Sequence, residues 1–470
     1  MKTVAIVGGG ITGLSCAYHL QKEIRTSGQD VRIVLLEADS ALGGKISTVH
    51  DGEFTMETGA DSIVTRKKNT FQYIEQLGLT DRIVFNETGT SFVHSDGALK
   101  QIPDDSMFGI PMSIESLAST TLVSAEGKVE ALKDFYTPND RFTKNDSLGE
   151  FLEAFLGKEF VEKQIAPVIS GVYSGNIYDL TLASTLSYLL DYKNEYGSLI
   201  RGLSEQRGKL KSSGEKKFLS FAGGMSDLID AFERELSKVD IRKETSVTRI
   251  ERVNGKYTLN LSAGDELEAD YVVLSVPHTA AGSMLAKPEL MRDFEQLKSS
   301  SLISIYLGFD IPDSELPANG TGFITTDASD LKCNACTWTS RKWKHTSDHS
   351  RLLVRLFYKS TKPVYDSLLP LSEEELIEVA LSDIREAMGI SAKPMTHHVH
   401  KWHEQMPNYH MKHHELVQSL EHGMSLYFPG IWLAGCSYYG VGIPDCMLNG
   451  EKTAAKVIEQ LHLQGVVEQP

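Results

Sequence analysis

Gly8, Gly10 and Gly13, in the run GGGITG, have the G-x-G-x-x-G spacing of a dinucleotide cradle. In such a cradle the first glycine permits a tight turn, the second lets a pyrophosphate approach the backbone, and the third lets a helix pack on a strand. Gly9, Ile11 and Thr12 complete the loop, and its unpaired N–H groups at a helix start attract phosphate. Glu37 follows at the distance needed to accept the ribose hydroxyls of an adenosine. These groups work only if ordered elements position them. Residues 3–7 (TVAIV) suit a buried parallel strand, residues 14–21 (LSCAYHLQ) a helix, and residues 31–36 (VRIVLL) a second strand that ends in the acid.

A second glycine pair, Gly43-Gly44, leads into Lys45, and the run ETGADS follows at residues 57–62. Glycines just beyond an adenosine site let backbone approach the remainder of a long cofactor, which an extended FAD needs and NAD does not. The far end of the chain supplies a matching feature. Residues 431–434 read as a buried strand, then Gly435, then a loop reaching Gly440-Val-Gly-Ile-Pro-Asp445 and a helix through residue 461. Pro444 suits the first turn of that helix, whose start is another dipole site. Two such sites at opposite ends of the chain predict a cofactor held at both ends. They also predict a discontinuous FAD-binding domain.

Arg66, Lys67 and Lys68 form a basic triplet after the second loop, either a solvated face or an anion site. The chain around it is acidic: 47 basic against 63 acidic residues give a net charge of −16. That argues against a nucleic-acid partner but allows a local basic pocket. No apolar run is long enough for a transmembrane helix, and with a strand expected from Thr3 no signal peptide is expected. Cys16, Cys333, Cys336, Cys436 and Cys446 are scattered and odd in number, which predicts free thiols in a reducing compartment. Cys333-Asn-Ala-Cys336 has no second pair and reads as a structural part of a strand. Seven histidines crowd residues 397–414, and density alone does not make a metal site, so no metal is assigned.

The reading is an α/β chain: a discontinuous Rossmann-like FAD-binding domain, a mixed α+β substrate domain and an inserted helical domain. FAD-binding parts are expected at 1–53, 218–282 and 425–470, and substrate-binding parts at 54–104, 204–217 and 283–424. The helical insert spans 105–203. Within it, residues 113–135 carry helical periodicity, Ser147 and Glu150 form a capping box, and residues 159–169 and 182–190 continue the helical pattern. Residues 167–175 (PVISGVYSG) are too glycine-rich to be helical throughout, and 209–217 is a polar loop. Residues 303–309, 333–339 and 352–358 read as strands of a second sheet.

The motifs GGGITG, LGGKIST, ETGADS, SLGEF, PVISGVYSG, SFAGGMSDL, ACTWTSRKW, MPNY and YYGVGIPDCMLNG, which run over nearly the whole chain, resemble the flavin-dependent porphyrinogen oxidases. This is the protoporphyrinogen and coproporphyrinogen oxidase family of haem synthesis, with an amine-oxidase-like flavoprotein architecture. The RKK triplet and GGK pair are similar to its Gram-positive, coproporphyrinogen III oxidase branch. The resemblance implies oxidation of coproporphyrinogen III to coproporphyrin III by O2, with H2O2 formed and protoporphyrinogen IX as a second substrate. It implies non-covalent FAD on Gly8–Gly13, Glu37, Ala38, Gly44, Lys45, Gly59, Ala60, Asp61, Ser62, Val247, Val441, Gly442 and Ile443. Of the triplet Arg66, Lys67 and Lys68, it makes Lys67 the first candidate for a substrate propionate. No catalytic acid, base or nucleophile is assigned. A cytoplasmic protein is expected, with at most weak membrane-surface association and room for hand-over to other haem-pathway enzymes. A flavin amine oxidase and a non-catalytic FAD-binding regulator are the alternatives.

Overall fold

The computed structural model describes residues 1–467, apart from residues 66, 68, 88, 174, 209–216 and 318. The Lys2–Val7 strand sits at the centre of a five-stranded parallel sheet. Val31–Leu36 and then Asp240–Arg242 lie on one side of it, Tyr271–Leu274 and Ile431–Leu433 on the other. The sheet therefore draws on the beginning, middle and end of the chain. Val4–Val7 and Tyr271–Leu274 are buried throughout, as strands covered on both faces must be.

The helix after the glycine loop is longer than the periodicity predicts. It runs Ile11–Ser27 and stops at Gly28, whose left-handed φ of 68° lets its N–H bond back to the Ile24 carbonyl. The apolar pattern registers only the face buried on the sheet, whereas the last two turns are solvent-facing and polar. The C-terminal Ile443–Val467 helix lies against this one. A Cβ on Gly450 would stand 2.5 Å from the Thr12 carbonyl, so only glycine permits this approach.

A seven-stranded mixed sheet forms the second layer, in the order Pro394–Asn408, Lys298–Pro312, Arg351–Lys359, Ala335–Trp338, Gly320–Thr325, Thr90–Ser95 and Ala98–Gln101. The Glu373–Met388 helix packs Leu376, Ala380 and Ile384 into its core and starts at a complete Ser372–Glu375 capping box. Cys333 and Cys336 lie buried at this sheet as free thiols.

The helical insert has its own core around Phe151, Phe155, Phe160 and Leu189. Residues 113–135 are broken into Ile114–Ser119, Ala125–Ala131 and the short turn Leu132–Phe135. Thr120 and Ser124 explain the break, because their hydroxyls accept backbone N–H bonds that interrupt one helix and cap the next. Ser147 caps Leu148–Leu156 by accepting from Glu150 N. A π-turn occupies Val161–Ile165, and the helix expected from 182 begins only at Tyr188. Fully buried Asp134 and Lys193 pair at 2.9 Å, and Asp134 also accepts from Ser198 Oγ, Leu199 N and Ile200 N. Among the described residues no helix is long and apolar enough to cross a membrane. The polar loop expected at 209–217 lies outside the described residues except for Lys217.

Candidate active site

Three backbone loops converge at the C-terminal edge of the parallel sheet. Gly10 is the N-cap of the first helix, with no side-chain cap and no acid in the first turn, so the N–H groups of that turn have no competing anion. A Cβ on Gly10 would meet nothing within 4 Å, which leaves open space over the glycine where a pyrophosphate fits. Gly13 is closed in instead, since a Cβ there would lie 2.0 Å from the Gly8 carbonyl. Gly43 N donates to the Gly9 carbonyl at 2.9 Å, and Gly44 comes over Gly10. The Glu37 carboxylate accepts from Gly9 N at 2.7 Å and Asp39 N at 2.9 Å. These bonds fix its orientation beside the exposed Ala38, and Val247 is buried nearby in its own hairpin. The third loop carries Val441 and Gly442 into the helix that begins at Ile443, and Val441 is half-exposed.

Lys45 and the 57–62 run connect this frame to the second sheet. Ala60 N donates to the Lys45 carbonyl, and a Cβ on Gly59 would lie 2.1 Å from that oxygen. From the other side, buried Arg355 donates to the Thr58 and Gly59 carbonyls at 3.0 Å each and to Ser304 Oγ at 2.7 Å. Trp402 Nε1 also donates to the Thr58 carbonyl. Asp61 receives Ser62 Oγ and pairs with Lys342 at 3.0 Å. Burial pushes the Asp61 carboxyl up, but Lys342 and Arg355 outweigh this and hold it well below the usual range. Glu57 goes the other way: burial raises it to about 7, against hydrogen bonds from Met225 N and the Thr48 hydroxyl.

A cavity of about 620 Å³ opens between this run and the seven-stranded sheet. That is within the ~300–1,000 Å³ usual for ligand sites. Gly59, Ala60 and Asp61 form one end, Phe218, Phe323 and Phe357 give it aromatic walls, and Val168 and Tyr173 of the helical insert close another side. Among the described residues Lys217, Lys342, Arg355 and Lys359 line it against two carboxylates, Asp61 and Glu87, an excess of two positive charges in a chain of net charge −16.

The glycine loops and Glu37 thus come together with the 57–62 and 441–443 runs. Lys67 does not join the cavity lining. Its ammonium is 2.8 Å from Asp445 Oδ1 in the first turn of the last helix, and both side chains are partly exposed. The acid supplied by the last helix takes the charge that was expected to meet a propionate. Arg66 and Lys68 lie outside the described residues. Sequence reasoning missed Lys342, Arg355 and Lys359. For Arg355 and Lys359 the sequence signal is a cation on every fourth residue of a strand, which keeps both on one face with Phe357 between them, and Lys342 has no such signal. The histidines spread along the Pro394–Asn408 strand and beyond it. His398 stacks on His400, and His413 stacks on Tyr409 at 4.0 Å.

A cradle that takes an extended dinucleotide, joined to a cavity on a separate sheet, defines a flavoprotein oxidoreductase. The chain belongs to the flavin-containing amine oxidoreductase family, whose model matches residues 11–458. It is 34% identical over 98% of both chains to a coproporphyrinogen III oxidase of Bacillus subtilis. It is 31% identical to one of Staphylococcus aureus, over 98% of this chain and all of that one. Among solved structures, an assigned protoporphyrinogen oxidase from Exiguobacterium superposes with a TM-score of 0.88 at 33% identity, over 97% of this chain and 98% of that one. A putrescine oxidase, at 16% identity and a TM-score of 0.67, covers 97% of this chain and 99% of its own and shares the fold.

Proposed function

We propose that this protein is an FAD-dependent oxidase that converts coproporphyrinogen III to coproporphyrin III, with protoporphyrinogen IX as a poorer substrate. Six hydrogens leave the macrocycle, and three O2 become three H2O2. FAD, when bound, supplies a two-electron acceptor, so each macrocycle needs three turnovers. The chain's own residues bind and orient. Gly8–Gly13 and Glu37 hold the adenosine diphosphate end. Lys45, Gly59–Ser62 and Val441–Ile443 hold the other end beside the cavity. Arg355 fixes the Thr58 and Gly59 carbonyls, so the wall nearest the cofactor is set by the sheet that also binds substrate.

The observation that carries this reading is the cationic cavity abutting Gly59–Asp61 in an otherwise acidic chain. Four propionates need local positive charge, whereas a diamine would meet repulsion there. Lys67 is a second, weaker anion contact on this reading, because a propionate must share it with Asp445. The charges at Glu126, Lys128, Glu130 and Lys133 favour a cytoplasmic protein with weak membrane contact at most. Purified yellow protein given coproporphyrinogen III, protoporphyrinogen IX and putrescine under air tests the proposal. Porphyrin fluorescence should rise fastest with the first. Peroxide from putrescine without porphyrinogen oxidation would replace this function with amine oxidation.

A further inference from the structure

The four cavity cations differ in what they already hold. Lys342 is paired with Asp61. Arg355 spends its donors on Ser304, Thr58 and Gly59. Lys217 is exposed at the edge of the cavity. Among the described residues Lys359 has no carboxylate partner and donates only to the carbonyl of Ser170, in the Ala166–Val172 helix of the insert. Its partial exposure is to the cavity.

Strand geometry places it. Arg355, Phe357 and Lys359 alternate onto one face of the Arg351–Lys359 strand, and all three line the cavity. Arg355 reaches the Gly59 loop, and Lys359 lies about 13 Å farther along, opposite Leu302. Ser300 and Thr361 line the same end and add hydroxyl donors. An aromatic floor between a pinned cation and an unpaired one suits a flat, mostly apolar ring with an anionic arm at its far edge.

We infer that Lys359 anchors a propionate of the substrate at the end of the cavity remote from the Gly59–Asp61 loop, and so sets the preference for the tetra-propionate macrocycle. This rests on the porphyrinogen reading above. Burial lowers the Lys359 ammonium to about 8, so it stays charged at neutral pH at a cost in stability that an incoming carboxylate offsets.

The test uses the FAD-loaded enzyme with Lys359→Met and Lys359→Arg. Coproporphyrin III affinity is read by fluorescence titration, turnover by kcat/KM, and folding by the melting temperature and FAD content. Lys359→Met should weaken coproporphyrin III binding and lower kcat/KM for coproporphyrinogen III about tenfold, mostly through KM. The loss for protoporphyrinogen IX should be smaller. Lys359→Arg should retain most of both quantities. Lys359→Met should melt at the wild-type temperature or above it, with full FAD. Unchanged affinity and kcat/KM, or a lowered melting temperature with proportionate losses for both macrocycles, would overturn the assignment while leaving the oxidase reading intact. Failure of the wild-type enzyme to oxidise coproporphyrinogen III would remove both.

Discussion

The cofactor frame and the substrate cavity lie side by side but are built from different materials. The frame is mostly backbone: loops at Gly8–Gly13, Gly43–Gly44 and Gly440–Gly442 converge, and the Glu37 carboxylate is held among them by Gly9 N and Asp39 N. The cavity is side chains: Arg355, Phe357 and Lys359 from one strand, Lys342 after another, and Val168 and Tyr173 from the helical insert. A backbone site tolerates almost no substitution at its glycines and is indifferent to most other residues. A side-chain site on a rigid sheet can change its ligand without disturbing the fold. This difference lets one architecture serve coproporphyrinogen oxidases and a putrescine oxidase.

The largest effects should fall on the frame. Gly10→Val adds a side chain in open space, at an N-cap whose φ of −68° valine accepts. The protein should fold, melt like the FAD-free wild type and purify colourless. Gly13→Ala puts a Cβ 2.0 Å from a carbonyl and should destabilise the fold itself by about 3 kcal/mol or more, read by denaturant unfolding. Stoichiometric yellow FAD in Gly10→Val would show that the open space over Gly10 is not the pyrophosphate's path.

Arg355 is where the two regions meet. Arg355→Met leaves the Thr58 and Gly59 carbonyls and Ser304 without their donor, in a buried site that also steadies Asp61. A stability loss of about 3 kcal/mol is expected. The kcat/KM for coproporphyrinogen III should fall more than tenfold even where the variant retains FAD. Unaltered kinetics in a folded variant would mean that the cavity wall needs no support from the sheet.

Glu57 offers a smaller effect, tied to pH. Burial raises its carboxyl from 4.5 to about 7, so the folded chain holds that proton more tightly than the unfolded one. Its stabilising contribution is present below pH 4.5 and is lost as pH rises through 7. Glu57→Gln carries no such proton, so wild-type stability relative to this variant should drop by about 1–3 kcal/mol between pH 4.5 and 8. Parallel unfolding curves across that range would contradict the assignment. The smallest effect is predicted for Lys67→Ala. An exposed pair is worth ~0–1 kcal/mol, so kcat/KM for coproporphyrinogen III should fall fivefold or less with FAD content unchanged.

The same contrast explains what the sequence could reveal. Gly8, Gly10, Gly13 and Glu37 lie within one βαβ unit, so their spacing is their geometry. The Lys2–Val7, Val31–Leu36 and Ile431–Leu433 strands were legible because a parallel strand buried on both faces is a continuous apolar run, whereas the short, polar Asp240–Arg242 strand at the sheet edge gives no such run. The cavity could not be read that way. Lys342, Arg355 and Lys359 are brought to one cavity by strand register, and Ser170 reaches Lys359 by docking of the insert, which no local pattern encodes. The resemblance makes Lys67 the candidate within a visible basic run, but a run says nothing of a partner 378 residues away, and Asp445 pairs with it. The helix expected from 182 failed for a related reason. Thr181 and Ser184 bond to each other and to the backbone there, and the apolar residues pack without a helix until Tyr188.

A cationic cavity that holds a porphyrinogen beside the cofactor frame through six-electron oxidation fixes the ratio of the two products. The direct measurement is product stoichiometry: FAD-loaded enzyme, a limiting quantity of coproporphyrinogen III, saturating O2, and simultaneous assay of coproporphyrin III and H2O2 against an enzyme-free control. Three H2O2 should form per porphyrin, with enzyme-dependent porphyrin accounting for the substrate consumed. Fully loaded enzyme that produces neither porphyrin nor peroxide above the control would contradict it.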